Sequence, residues 1–246
     1  MLDVLYRDDY LTAIHKPAGM LVHRSNLDRH ETRFAVQLLR DQVGRRVFPL
    51  HRLDKGTSGV LLFALDAGTA RAVSLQFEAA TVVKKYLAIV RGWPAEQGVI
   101  DHALARRFDD YGRRFPPGSV AREADALPAV TEYRRIATTE LPIAVDRYPT
   151  TRYALLELMP RTGRQHQLRR HLKHIAHPII GDATFGKGVH NRFFQQHFAC
   201  SRLLLACTRI VFQHPHNGQI LVIEAPLEAG FAQVIDALGL NTAQGI

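Results

Sequence analysis

His51-Arg52-Leu53-Asp54-Lys55-Gly56-Thr57-Ser58-Gly59-Val60 is the stretch from which the rest of the chain can be read. It runs straight into Val60-Leu61-Leu62-Phe63-Ala64, a short apolar run entered through two glycines and two hydroxyl residues, the pattern of a buried strand fed by a turn. Asp54 is therefore expected on a loop that ends at the edge of a core, where backbone position is held. Arg52 and Lys55 favour its ionised form, since opposite charges about 4 Å apart attract by about 4 kcal/mol at an effective dielectric of about 20. An anion in that place suits a nucleophile or base better than a general acid. The plainer alternative is a turn aspartate with a surface ion pair, and this segment alone leaves both readings open.

Outward from that stretch, strands and helices mix without strict alternation. Leu2–Tyr6 and Leu11–His15 read as two strands around the turn Asp8-Asp9, and Lys16-Pro17-Ala18-Gly19 breaks the pattern as a structural turn. Between Glu31 and Val43 the residues Phe34, Leu38 and Leu39 recur at helical spacing, with Gly44 as the stop. Thr69–Phe77 repeats that logic through Ala72, Val73 and Phe77. Further strands are expected at Lys84–Val90, Ala129–Ile136, Arg152–Met159, Leu203–Phe212 and Ile220–Glu224, the last entered through the turn Asn217-Gly218. Ala105 to Pro128 is basic and loop-like, carrying Arg106, Arg107, Arg113 and Arg114 around Asp109-Asp110 with the breakers Pro116-Pro117-Gly118, and reads as an exposed insertion. Many strands with few interposed helices argue for an α+β protein on a largely antiparallel, mixed sheet.

The bulk numbers bound the function. With 246 residues, 46% hydrophobic and 22% charged, the chain can bury one large core, and a single domain over residues 1–246 is expected. Lys and Arg outnumber Asp and Glu by 32 to 23, and the net charge of +9 points to a polyanionic partner, nucleic acid first. Cys200 and Cys207 fit neither a zinc ribbon nor a disulfide framework, which suits a reducing, cytoplasmic setting, and they read as small core residues. The acidic N-terminus without a long apolar core argues against a signal peptide or membrane span. Among the 13 histidines, His171, His174 and His177 recur every third residue. No Cys, Asp or Glu joins them there, and Pro178 biases His177 out of a helix, so no metal site is expected.

A second constellation, Arg161-Thr162-Gly163-Arg164-Gln165-His166-Gln167-Leu168-Arg169-Arg170-His171-Leu172, follows Met159-Pro160, with Leu168, Leu172 and Ile175 on one helical face. With Thr162 as the N-cap, Arg164 falls in the first turn, where the macrodipole disfavours a cation unless a carboxylate compensates it; Asp54 is the expected partner. Arg169, Arg170 and Lys173 read either as solvated cations or as anion contacts.

Taken in order, His51–Gly59, then Lys84-Lys85-Tyr86-Leu87-Ala88, then Thr162–Arg169 resemble the RluA-type pseudouridine synthases. The resemblance runs from Lys16–Gly19 through His177-Pro178-Ile179-Ile180-Gly181-Asp182 to Arg202-Leu203-Leu204-Leu205, most of the chain. It implies that family's catalytic fold without a separate N-terminal RNA-binding domain. Leu21-Val22-His23-Arg24-Ser25 and Arg147-Tyr148-Pro149-Thr150-Thr151-Arg152-Tyr153 are most similar to the branch acting on tRNA, so the resemblance implies isomerisation of a uridine in the acceptor-stem or T-arm region, with ribosomal RNA as runner-up. Asp54 would be the catalytic aspartate, acting on sugar or base as a nucleophile, or on a sugar proton as a base. Arg164 would hold it, Tyr86 would stack on the flipped uracil and help remove the C5 proton, and Arg52 would fill the space the base leaves. Arg106, Arg107, Arg113, Arg169, Arg170 and Lys173 would meet phosphates. No cofactor is implied, no membrane partner is expected, and a monomer is. Many relatives read Leu-His-Ala where this chain has Leu205-Ala206-Cys207, which bears on packing more than on activity. The rivals are a non-catalytic RNA-binding module, which would not need Asp54, Tyr86 and Arg164 together, and a glycosidase, which needs a second carboxylate motif not apparent here.

Overall fold

The structure, a computed structural model, describes residues 1–23, 32–105 and 126–241. Most of the expected insertion, with Arg106, Arg107 and Arg113, lies outside the described residues. Among those described, ten strands form one sheet. Its spine runs β1 (Asp3–Arg7), β2 (Leu11–Lys16), β4 (Ser58–Ala64), β9 (Leu205–Gln213), β5 (Val83–Arg91), β8 (Thr151–Pro160), β7 (Val130–Leu141), β6 (Gln97–Asp101), while β3 (Phe48–Pro49) pairs with β4 and β10 (Ile220–Glu224) with β9. Every named pair is antiparallel except β4 with β9, so the sheet is mixed and the expected α+β class holds.

Both faces of the sheet are covered, and the two-residue period of the strands sorts side chains between them. On β5, Tyr86, Ala88 and Val90 join one core with Ala35 and Leu39 of α1 (Ala35–Val43), Val73 of α2 (Ala67–Glu78) and Leu168 and Leu172 of α3 (Gln167–His174). Leu87 and Ile89 join the other, with Phe193 and Phe194 of α4 (Gly188–Phe198) and Phe231, Val234 and Ile235 of α5 (Ala229–Ala237). Gly44, at φ 78, ends α1 where the sequence places the stop, and Asp66 caps α2 by accepting from the Thr69 amide at 2.8 Å.

Two expectations need correction. The second constellation does not start its helix at Thr162: α3 begins at Gln167, after a tight turn whose last residue, His166, has left-handed backbone angles. Thr162 instead donates to the Gln167 side chain at 2.7 Å and accepts from the Val130 amide at 3.0 Å. The Ala129–Ile136 strand continues to Leu141, since β7 follows β8 along its whole length past a bulge between Arg135 and Ala137.

The parallel contact positions the loop of Asp54. Gly59 pairs with Cys207, at φ 111, and a Cβ on it would lie 2.0 Å from the Cys207 carbonyl oxygen. Cys207 pairs on its other side with Tyr86. One residue of β9 therefore sets the end of the Asp54 loop and the tyrosine two strand spacings apart, about 9.6 Å. Gly59→Ala should cost about 3 kcal/mol or more, combining overpacking with a backbone conformation closed to alanine. Gly163→Ala, where an added Cβ meets nothing within 4 Å, should stay within about 0.5 kcal/mol. Urea denaturation of the two variants checks the contrast.

Candidate active site

The loop of Asp54 is pinned from below. Leu53 and Thr57 are buried on either side of it, and the Thr57 amide donates to the Asp54 carbonyl at 3.0 Å. The Lys55 carbonyl accepts from the Gly19 amide at 2.8 Å and from Lys16 Nζ at 3.2 Å. Lys16 is fully buried and also donates to the carbonyls of Pro17 and Met20, both at 2.8 Å. The Lys16–Gly19 turn is thus a cradle for the loop. Burial pulls the Lys16 ammonium down to about 7, against the attraction of Asp54 and with a push from Arg202. Arg202 in turn donates to Ser58 Oγ at 2.7 Å and pairs with Glu228, tying the start of β4 to the chain before α5.

The cation on Asp54 is Arg169, not Arg164. Arg169 Nη1 donates to Asp54 Oδ2 at 3.0 Å across 115 residues of sequence, while its Nε and Nη2 fork onto Asp182 at 2.7 and 2.9 Å. The reason lies in the register of α3. Because the helix opens at Gln167, the inward-facing cation of its first turn is Arg169, beside the buried Leu168 and Leu172; Arg164 stays in the exposed turn before it, donating from Nε to the Pro128 carbonyl at 3.1 Å. The expectation that a first-turn cation needs a carboxylate was physically sound and attached to the wrong arginine. Arg169 is accordingly no solvated phosphate contact: its side chain is 12% exposed, that of Asp182 1% and that of Asp54 21%. Burial alone would lower the Arg169 pKa, but bonds and charges from Asp182 and Asp54 more than reverse this and raise it. Burial would raise Asp182, and the Arg169 bonds with the Phe185 and Thr184 amides bring it below its ordinary value.

Asp182 and Gln167 were not singled out from sequence for these roles. Asp182 Oδ1 accepts from the Thr184 and Phe185 amides at 2.9 and 2.8 Å. Gln167 reaches from α3 to β7, donating to the Val130 carbonyl and Thr131 Oγ1, both at 3.0 Å, and accepting from the Arg164 amide at 2.9 Å. The available signal was an arginine in a helix's first turn with no acidic residue nearby in sequence, which requires anions from elsewhere.

Asp54, Tyr86, Arg52, Arg164, His166 and Arg169 all line one cleft of about 540 Å³, within the usual range for ligand sites. Arg52 is exposed at its edge. Tyr86 is 8% exposed. Its burial, together with the charge and hydrogen bond of Cys207, raises its pKa well above 10, so it is a neutral phenol across the physiological range. Arg170 and Lys173 do not line the cleft: Arg170 Nη1 donates to the Ala105 carbonyl at 2.9 Å, and Lys173 Nζ lies 6.0 Å from the Phe185 ring centre. His171 bonds Thr131 Oγ1 and the His102 carbonyl, both at 3.0 Å, and His177 bonds the Arg91 carbonyl at 2.8 Å, so these rings are tied to neighbouring elements. Ala206 is buried in the second core.

A carboxylate gripped by an arginine and set near a buried aromatic ring, in a cleft with exposed cations at its edge, equips an enzyme for an anionic substrate. The RNA pseudouridylate synthase family matches residues 10–174, and the chain belongs to that family. The chain is 50% identical over 239 residues to tRNA pseudouridine synthase C of Vibrio cholerae, covering 97% of this chain and 96% of that one. To tRNA pseudouridine synthase C of Salmonella typhi it is 49% identical over 240 residues, covering 97% and 90%. Among solved structures, Human RNA Pseudouridylate Synthase Domain Containing 4 superposes with a TM-score of 0.71 at 25% identity, over 96% of this chain and 93% of that one. The chain is an isomerase of this family. No helix among the described residues is long and apolar enough to cross a membrane.

Arg169→Ala should cost about 3–5 kcal/mol, because it strands two carboxylates, whereas Arg164→Ala should stay within about 1 kcal/mol; urea midpoints and activity of the two variants check this ordering. Lys16 supplies a pH signature. Its folded pKa of about 7 lies below the ordinary 10.5, so between these values the unfolded chain holds a proton that the folded chain has shed, and this group makes stability rise with pH. The stability of wild type relative to Lys16→Met should therefore grow from pH 7 to 10, and a flat difference would show that Lys16 keeps its proton.

Proposed function

We propose that this isomerase converts a uridine in the acceptor-stem or T-arm region of tRNA to pseudouridine, with Asp54 as the reacting carboxylate. The observation that carries the reading is the Asp54–Arg169 pair lining the same cleft as Tyr86. Two relatives of about half-identical sequence named for tRNA support the substrate.

The target base is hidden inside an RNA helix, so the nucleotide is extruded at a cost of a few kcal/mol, and Arg52, exposed at the cleft edge, is the group proposed to fill the vacated stack. Phosphates on either side would meet Arg164 and the arginines of the segment near residues 106–113, which contribute salt-dependent affinity without sequence information. In the cleft, Arg169 holds Oδ2 of Asp54 and orients the carboxylate. Asp54 either attacks covalently or removes a sugar proton to form a glycal. In both routes the C1′–N1 bond breaks, the uracil turns, C1′ bonds to C5, the C5 proton leaves and N1 gains one. Substrate and product have the same formula, and no redox equivalent or nucleotide is consumed. Tyr86, a neutral phenol, serves in this scheme as a stacking surface; the C5 proton then goes to another base.

Asp54→Asn should lower isomerisation by about 10⁴-fold or more while RNA binding changes by only a small factor; normal turnover by this variant would reject the mechanism. Tyr86→Phe should lose less than the roughly 10²-fold expected for removing an acid or base, and Tyr86→Ala much more. Chemical mapping of pseudouridine in RNA from cells with and without the protein tests the substrate. A site lost from ribosomal RNA, with tRNA unchanged, would replace tRNA as the target.

A further inference from the structure

We propose that Lys84 is a further catalytic residue of this site, the cation that meets the negative charge gathering on the uracil as its bond to the sugar breaks. The proposal rests on the uridine isomerisation set out above. Lys84 stands two residues before Tyr86 on β5, about 6.8 Å along the strand and on the same face, and both side chains line the cleft. Lys85, between them, turns to the opposite face, where Glu157 accepts from its ammonium at 3.0 Å. Lys84 is half-buried and, among the described residues, makes no ion pair with a carboxylate. Of the two acids that line the cleft, Asp54 is held by Arg169 and Glu78 is exposed and unpaired with Lys84. The immediate surroundings of the ammonium are neutral. The Phe77 ring centre lies 5.8 Å from Nζ, and His51 stacks on Phe77 at 5.6 Å. His51 is a neutral imidazole, its pKa brought down to about 4 by burial and then by the Lys84 charge, and its Nε2 accepts from the Leu62 amide at 3.1 Å. Burial pushes the Cys207 thiol up to about 12, and Tyr86 is a neutral phenol, so neither supplies an anion. Burial also lowers the Lys84 ammonium from its ordinary value, though less than it lowers that of the more deeply buried Lys16.

A half-buried ammonium without a counter-charge weakens a fold, and it attracts whatever anion enters beside it. The reaction makes such an anion at this place. When the C1′–N1 bond breaks, its electron pair stays with the base and spreads over N1 and the two carbonyl oxygens. With the ring stacked on Tyr86, Lys84 donates an N–H to one of those oxygens. The attraction is strongest while the base is detached and fades once C5 has bonded to C1′, so it favours the transition state over the bound uridine. No proton passes through Lys84: the C5 proton leaves, N1 gains one, and the ammonium keeps all of its own.

The test compares two substrates and two variants. Lys84→Met keeps the apolar stem and removes the charge, whereas Lys84→Arg keeps a charge. Single-turnover rates and KM would be measured on the substrate RNA and on the same RNA made with 5-fluorouridine, whose base departs more easily as an anion; loss of the starting nucleoside is followed in both. Lys84→Met should lower the rate constant on uridine by about 10²-fold with KM nearly unchanged. Lys84→Arg should restore part of that loss, and the deficit of Lys84→Met on 5-fluorouridine should be several-fold smaller. An unchanged rate constant or an equal deficit on both substrates would overturn the proposal. So would a loss confined to KM with a shallower salt dependence, which would make Lys84 a phosphate contact. Lys84→Met should unfold in urea no earlier than wild type, because it removes an unpaired charge and keeps the stem. A variant that folds poorly would show that the fold itself needs the ammonium, and would also overturn the proposal. Turnover by Asp54→Asn would instead remove the catalytic reading beneath it, whereas an inactive Asp54→Asn beside a fully active Lys84→Met would remove only the role of Lys84.

Discussion

One guanidinium shared between two carboxylates is the constraint on which the cleft depends. Arg169 directs Nε and Nη2 at Asp182 and is left with Nη1 for Asp54. The fork fixes the plane of the guanidinium, and that plane fixes where the third bond points. Asp182 is therefore the anchor: its other bonds come from the Thr184 and Phe185 amides, and it has almost no exposed surface. A buried ion pair of this kind gains its value less from net stability than from geometry, since desolvation offsets much of the attraction. Here the geometry aims one half-buried carboxylate into a cleft.

The sheet brings the rest to that pair. Cys207 has Gly59 on one side and Tyr86 on the other, so the loop end and the aromatic ring are placed by backbone hydrogen bonding, independent of any side chain in the cleft. Glycine at 59 permits an approach that any Cβ would block. Lys16 adds a second support. Its three N–H bonds match three carbonyl acceptors, one of them at Lys55, next to Asp54.

Much of this was legible in the residues. The apolar run after Gly59, the alternation in Lys84–Val90 and the turn at Asn217-Gly218 are local patterns, and strands β4, β5 and β10 lie where those patterns place them. Asp54 was recognisable because a carboxylate next to a glycine-rich entry into a strand is an unusual expense. Its partner was not. Choosing between Arg164 and Arg169 requires the first helical residue, and the left-handed turn at His166 moves that start beyond the capping threonine that sequence suggests. Such a turn at histidine leaves no propensity signal. Asp182 was hidden for a related reason: its role depends on a contact made by folding, with Arg169 13 residues away and in another element. The helices α4 and α5 were not read from the sequence although Phe231, Val234 and Ile235 recur at helical spacing in α5; in α4 one of the three buried positions at that spacing, beside Phe193 and Phe194, is the polar His190.

The charge arrangement also answers a difficulty that any carboxylate meets on a polyanion. An isolated aspartate in a cleft that must admit phosphates would repel the substrate it is meant to attack. Here Asp54 and Asp182 are set against Arg169 in a group held mostly away from water, and Lys16, which burial brings down to about 7, adds only part of a positive charge at neutral pH. To an approaching phosphate that group presents at most one net negative charge, so the attraction at the cleft mouth comes from the exposed Arg52 and Arg164. Short-range order and long-range attraction are thus assigned to different residues. The buried pairings orient one carboxylate oxygen over a few ångströms, and the exposed cations draw in the backbone over a Debye length.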